Sequence, residues 1–285
     1  MTISADIVGV EVGPMLQEVD ARWLMAYAAG IGEANPLYFD TSLKDGIVAH
    51  PVFPVCYEWP LAVALRDRTI PSAARIQAVH ATHDLVIHRL PIPGDRLSTT
   101  AQVVAVERRK PGAYVVTRFE TRDARGAPVT TTDAGALYLG VPAAGEDRWL
   151  IEPSPAPKPP DGPPRWEQRV PVLRGAAHVY TECSRIWNPI HTDRAVARAV
   201  GLPDIILHGT ATLALAVSAL IAREADGDPA RLRRIRCRFG AMVLMPSTLT
   251  VQGLGRISGR DGEAVGFKVL TAEGQAAISH AALAL

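Results

Sequence analysis

One histidine distinguishes two copies of a short motif in this sequence. Residues 188–193 read Asn-Pro-Ile-His-Thr-Asp and residues 35–40 read Asn-Pro-Leu-Tyr-Phe-Asp, so His191 and Tyr38 hold matching positions. An imidazole titrates close to neutral pH and can therefore accept and return a proton during a reaction. The repeat predicts a duplicated fold with one reactive half.

A proline-rich segment divides the chain near its midpoint. Residues 153–164 read PSPAPKPPDGPP, and so much proline cannot continue a helix or a sheet ladder. We therefore predict an N-terminal domain at 1–145, a linker at 146–165 and a C-terminal domain at 166–285.

The two halves repeat one order of structural signals. A helix-like segment comes first, at 20–29 and again at 177–184, and the Asn-Pro motif follows it. The segment at 209–223 is apolar on nearly every face and predicts a buried helix, whereas Pro54 and Pro60 interrupt its counterpart at 54–66. Strands are predicted at 76–85, 97–106, 113–121, 129–139, 233–238, 249–256, 263–270 and 275–283.

The composition excludes several classes of protein. The 285 residues include 30 basic and 29 acidic side chains, so the net charge of +1 predicts neither a nucleic-acid nor an anionic membrane partner. The longest apolar stretch is too short to span a membrane and the N-terminus does not resemble a signal peptide, so we expect a cytoplasmic protein. Three widely separated cysteines predict reduced thiols, without a zinc site.

The second half carries the motifs that suggest a family. It reads SRIWNPIH at 184–191 and LHG at 207–209, and this pattern, with Tyr180 before it, resembles the MaoC-like (R)-specific enoyl-CoA hydratases and dehydratases. The first half resembles the N-terminal MaoC dehydratase domain that is fused to a catalytic one. The resemblance implies an α+β double hot-dog fold, in which two antiparallel sheets each wrap around a long central helix.

The resemblance also implies a reaction. Water adds reversibly to an enoyl thioester, or leaves a 3-hydroxyacyl thioester, whose carrier is coenzyme A or an acyl carrier protein. The reaction requires a base for the water, an acid for Cα and a donor for the charge on the thioester oxygen. It requires neither a metal nor a redox cofactor.

Matching positions in this chain fill two of these roles. His191 takes the place of the family's catalytic histidine, and Asn188 either orients the water or the imidazole or simply forms the Asn-Pro turn. Gly209 is expected at the start of the buried helix, where free N–H groups suit an oxyanion. The predicted substrate-binding residues are His208, Thr210, Trp187, Arg234 and Arg236; the two arginines would meet carrier phosphates, or else form a solvated strand face.

The first half lacks both features. Tyr38 replaces the histidine, and His50-Pro51 stands where the second half has His208-Gly209. Because proline has no N–H group, this half cannot offer the same donor. We predict a non-catalytic unit that shapes the acyl pocket.

One catalytic position departs from the family. Its motif reads Ser-Gly-Asp-x-Asn-Pro-Leu-His, but Ile186 stands at the aspartate and cannot carry a proton. A compensating carboxylate would be Glu182, one helical turn earlier, or Glu33, which aligns with the missing aspartate in the first half. Glu182 is equally well explained as a solvated helix residue. Asp193, two residues after the histidine, is equally well explained as a local turn or cap.

The missing aspartate leaves other functions open. One alternative is an acyl-thioester-binding protein or partner subunit without hydratase activity. Another is a hot-dog thioesterase or isomerase, in which Glu58 on the first central helix is the acid. The fused halves form a pseudo-dimer that is also able to join a homodimer or hetero-oligomer. His80 and His83 are expected on opposite faces of a strand, which argues against a metal site.

Overall fold

The computed structural model describes residues 1–152, 155, 157–160, 162–259 and 262–285. Four positions of the predicted linker at 146–165, namely 153, 154, 156 and 161, lie outside the described residues.

The first half combines short helices with long strands. Its helices are α1 (Ala21–Gly30), α2 (Pro54–Thr69) and α3 (Ser72–Arg75). Its strands are β1 (Ile3–Ser4), β2 (Glu11–Glu18), β3 (Ala78–Ile87), β4 (Arg96–Arg109), β5 (Gly112–Arg122), β6 (Pro128–Leu139), β7 (Ala143–Ala144) and β8 (Arg148–Trp149).

The second half repeats this arrangement. Its helices are α4 (Ala176–Ser184), α5 (Arg194–Ala199) and α6 (Gly209–Glu224). Its strands are β9 (Trp166–Val172), β10 (Arg234–Phe239), β11 (Ser247–Gly259), β12 (Gly262–Leu270) and β13 (Ala276–Ala284). Each of the eight predicted strands and both predicted short helices overlaps an observed element.

The strands form two antiparallel layers that meet edge to edge. The order is β2-β4-β5-β6-β3 in the first half and β10-β13-β12-β11-β9 in the second, and β3 pairs with β10 to make one continuous sheet. Each half curves around its long helix, α2 or α6. The double hot-dog fold is therefore confirmed, with the two expected sheets joined along one edge.

The two central helices are buried for different reasons. Helix α6 is apolar around most of its circumference, and Leu213, Ala214, Val217 and Leu220 are fully inaccessible to solvent. Helix α2 continues from Pro54 to Thr69 although Pro60 lies inside it, so the expected interruption is wrong. Proline at its first turn sacrifices no hydrogen bond, and tertiary packing compensates for the one lost at Pro60.

A β-bulge changes the direction of the histidines on β3. Its pairing with β6 shifts register between His80 and Thr82, which leaves Ala81 as an extra residue. His80 and His83 consequently lie on one face, with ring centroids 5.5 Å apart. The expectation that they face opposite sides was wrong because strict alternation fails at a bulge.

Two other expectations concern the cysteines and membrane-spanning helices. Cys56, Cys183 and Cys237 are free thiols, as predicted. Within the described residues, every helix is too short or too polar to cross a membrane.

Candidate active site

His191 sits at the end of a single 3₁₀ turn, Pro189–His191, that follows α4. Asn188 caps this turn, because its Oδ1 accepts a hydrogen bond from Ile190 N. The Nδ1 of His191 lies 2.8 Å from the carbonyl oxygen of Ile206, so Nδ1 carries the proton and donates it. The other nitrogen, Nε2, therefore has a free lone pair and is ready to act as a base.

His208 stacks directly on this imidazole. The ring centroids of His191 and His208 are 3.6 Å apart, with 24° between the planes, and His208 Nε2 lies 3.3 Å from Thr181 Oγ1. Burial lowers the pKa of His191 to about 4, although its bond to the Ile206 carbonyl opposes the shift. Burial and the neighbouring His191 lower the pKa of His208 to about 2. Both rings are consequently neutral at physiological pH.

The start of α6 lies beside the stacked histidines. His208 is its N-cap residue in an extended conformation, and no side chain caps the helix. The first N–H groups of a helix have no intrahelical acceptor, so the amide of Gly209 is available to an anion. A Cβ on Gly209 would lie 3.3 Å from the ring of Phe239, so glycine fits a close contact here. Thr210 Oγ1 accepts a hydrogen bond from Tyr180 Oη at 3.0 Å.

Among the described residues, no carboxylate is bonded to His191 in place of the missing aspartate. Ile186 is buried and apolar, and Glu182 is exposed on α4. Asp193 caps α5, where its Oδ1 accepts hydrogen bonds from Ala195 N and Val196 N. Glu33 lies in the first half with Oε1 4.0 Å from His50 Nε2. In the part of the chain that the structure describes, no hydrogen bond or ion pair joins Glu182 or Glu33 to His191, so neither expected compensation is observed.

The remaining predicted binding residues are Trp187, Arg234 and Arg236. Trp187 is exposed. Arg234 binds Asp84 through two hydrogen bonds of 2.7 and 2.8 Å, and Arg236 Nε lies 3.1 Å from the same carboxylate. Along β10 these arginines alternate with the buried face that includes Phe239, so they point to the outer side of the sheet. Their observed contacts fasten β10 to β3 where the two halves meet.

The corresponding groups of the first half are engaged in structural contacts. Asn35 Nδ2 donates to the Gly227 carbonyl at 2.7 Å, whereas no such bond is found for Asn188 Nδ2 among the described residues. His50 Nδ1 accepts from Val52 N at 3.2 Å, and its Nε2 lies 3.3 Å from Ser218 Oγ. The Asn35–Gly227 and His50–Ser218 contacts join the two halves, and both ring nitrogens of His50 are engaged.

Glu58 is the buried carboxyl group of the first central helix. It is 4% exposed, and its Oε1 accepts a hydrogen bond from Thr132 Oγ1 at 2.6 Å. Burial raises the pKa of Glu58 to about 8, with the Thr132 bond opposing the shift. The carboxyl group is thus largely protonated at neutral pH, which disfavours a role as the general base of a thioesterase.

Replacing Glu58 with glutamine should remove one pH-dependent contribution to the free energy of unfolding. The folded pKa lies above the usual value of 4.5, so the folded state holds a proton that the unfolded state releases. Wild-type stability should therefore fall relative to the variant between about pH 4.5 and pH 8, by about 1.4 kcal/mol per pH unit. Urea unfolding of both proteins across this range measures the difference, and a constant difference would contradict the assignment.

Three features of the site were not predicted from the sequence. They are the Ile206 carbonyl that fixes the tautomer of His191, the Thr181 hydroxyl on His208, and the Phe239 ring against Gly209. Thr181 lies one residue after the motif residue Tyr180, but a local sequence pattern contains no signal for the other two contacts.

A sheet wrapped around each of two central helices is the architecture of the double hot-dog proteins. The crystal structure of a MaoC-like dehydratase from Phytophthora capsici shares it with a TM-score of 0.86 and 23% sequence identity, over 98% of this chain and 97% of that one.

Sequence comparisons identify the family. Residues 155–266 match the MaoC like domain and residues 6–132 match the FAS1-like dehydratase domain region. The 3-hydroxyacyl-thioester dehydratase Y of Mycobacterium tuberculosis is 30% identical over 88% of this chain and 87% of that protein. The peroxisomal multifunctional enzyme type 2 of Drosophila melanogaster is 27% identical over 82% of this chain, which spans 41% of that longer protein. The chain belongs to the MaoC-like dehydratase family.

Proposed function

We propose that this protein is a hydro-lyase that reversibly hydrates an enoyl thioester to a 3-hydroxyacyl thioester. The observation that carries the proposal is the free Nε2 of His191 beside the uncapped start of α6. The named activities of its relatives, a hydroxyacyl-thioester dehydratase among them, support the same reaction.

The chemistry can proceed through a single base. As the oxygen of water bonds to Cβ, His191 Nε2 takes one of its protons, and the electron pair of the Cα=Cβ bond moves toward the thioester carbonyl. The Gly209 amide donates a hydrogen bond to the resulting enolate oxygen. His191 then returns its proton to Cα, so water is added in full and the imidazole is restored. Dehydration is the reverse sequence.

Neighbouring residues prepare this base. The Ile206 carbonyl holds the tautomer, and the stacked ring of His208 fixes the plane of the imidazole. The Asn188 amide nitrogen is available to position the water. Because one imidazole both accepts and returns the proton, Ile186 does not block the reaction as it would block a mechanism that divides these tasks between aspartate and histidine.

Several further points belong to the same proposal. The unit at 1–145 shapes the acyl pocket, the segment at 146–165 links the halves, and the unit at 166–285 carries the catalytic groups. Base and oxyanion donor both come from the chain, so we propose no metal or redox cofactor, with the acyl group carried on coenzyme A or a carrier protein. We further propose a cytoplasmic location and association of the pseudo-dimer into a homodimer or a hetero-oligomer.

Product analysis with a panel of enoyl thioesters tests the function. Loss of absorbance at the enoyl-thioester band should accompany formation of a 3-hydroxyacyl thioester of (R) configuration. Release of free thiol would instead identify a thioesterase, and a moved double bond an isomerase. Tight binding without turnover across the panel would identify a non-hydrating acyl-thioester-binding protein.

A further inference from the structure

Two histidines of the first half have unsatisfied ring nitrogens in the protein interior. His83 is 2% exposed, and neither Nδ1 nor Nε2 has a hydrogen-bond partner among the described residues; the buried Nε2 of His80 likewise has none. Leaving a buried polar group unsatisfied carries a free-energy cost. Native proteins seldom accept this cost unless a water or a ligand completes the bonds.

These histidines lie close to the proposed oxyanion donor. The His80 ring is 5.5 Å from that of His83 and 4.6 Å from that of Phe239. The Phe239 ring in turn lies 3.3 Å from the place where a Cβ on Gly209 would be. One aromatic ring thus separates His80 from the start of α6. The bulge of β3 places both imidazoles on one face, where His80 packs against the same ring that lies beside Gly209.

Their protonation state defines what they can bind. Burial lowers the pKa of His83 to about 3, with His80 adding to the effect, and lowers that of His80 to about 4. A neutral imidazole offers one N–H donor and one lone pair. It complements a group that has both an acceptor and a donor, such as a hydroxyl or an amide, but gains nothing from an alkyl chain. The described residues contain no group of three side chains that could hold a metal ion here.

We propose that His83, with His80 beside it, binds a hydroxyl or amide group of the thioester substrate. This inference rests on the proposed function. Such a group has two sources: a hydroxyl on the acyl chain beyond C3, or an amide in the pantetheine arm that coenzyme A and acyl carrier protein share. In either case the first half selects the substrate through hydrogen bonds as well as through pocket shape.

Two matched pairs of enoyl thioesters distinguish the sources. In the first pair, both on coenzyme A, the acyl chain carries or lacks a distal hydroxyl group. In the second, the same acyl group is joined to N-acetylcysteamine, which has an amide, or to an S-pentyl group, which has none. His83→Leu removes the hydrogen bonds, His83→Gln retains a donor and an acceptor, and His88→Leu, at an exposed position just beyond the end of β3, is the control.

We expect His83→Leu to lower kcat/KM about 10-fold to 100-fold for the thioester that carries the recognised group, and at most about 3-fold for its partner lacking the group. His83→Gln should retain much of the preference, and His88→Leu should change neither rate. Equal losses within both pairs, or a change in thermal stability alone, would overturn the proposal, because they indicate a structural role or a buried water.

Calorimetric binding of the same four thioesters separates this inference from the proposed function. If wild type binds them without turnover, the hydratase assignment fails, yet the binding preference and its loss in His83→Leu still decide the role of His83. If His83→Leu does not fold, His80→Leu, which lies nearer the surface, is measured in the same way and judged by the same outcomes.

Discussion

Replacing His191 with alanine should lower kcat for hydration by about four orders of magnitude, at the upper end of what general acid–base catalysis contributes. In the proposed mechanism the imidazole both accepts the proton of water and returns it to Cα, and among the described residues no carboxylate forms a hydrogen bond or ion pair with it. If a second acid shared the proton transfers, kcat would fall less in His191→Ala. Stopped assays with 3-hydroxyacyl thioester detection measure the residual rate.

Two further measurements sharpen this test. His88→Ala, at an exposed histidine, should retain wild-type activity, and thermal unfolding should show that His191→Ala is folded. Because burial lowers the pKa of His191 to about 4, kcat/KM should stay level at neutral pH and fall only below about pH 5. Substantial activity in a folded His191→Ala protein would refute the proposed base.

The sequence predicted the interior of the sheet better than its edges. All eight predicted strands overlap observed ones, because buried strands carry long runs of β-branched and aromatic residues. The terminal strands β2 and β9 were not predicted. They lie at the two ends of the sheet, their residues are mostly exposed or half-buried, and each contains a proline, Pro14 or Pro171, which an edge strand tolerates.

The candidate site was predictable where it depends on neighbours in sequence. The Asn-Pro turn and the helix start at Gly209 are local signals, and they located the imidazole and the amide. The Ile206 carbonyl and the Phe239 ring come from other segments of the chain. Only the folded structure shows that the carbonyl bonds to His191 and that the ring packs beside Gly209. The bulge at His80 was equally hidden, because one extra residue in a strand leaves no mark on composition.

The amide of Gly209 can be removed without breaking its helix. Gly209→Pro eliminates the N–H group, and proline is favoured at the first position of a helix because that N–H has no intrahelical partner. His208 already has the extended conformation that a residue before proline requires, with φ −59° and ψ 138°. Removing one oxyanion donor costs about 10²-fold to 10³-fold in kcat, and we expect a loss of this size for hydration.

Gly209→Ala is the matched control for this substitution. It keeps the N–H group and adds only a methyl group 3.3 Å from the Phe239 ring, a contact that a small ring movement relieves. Its kcat should stay within about 10-fold of wild type, since the oxyanion donor is intact. If alanine and proline reduce activity equally, the methyl contact rather than the amide explains the glycine, and the oxyanion role of Gly209 is refuted. A large loss in the proline variant alone would support the proposal that the N–H group missing at Pro51 is one of the differences that confine catalysis to the second half.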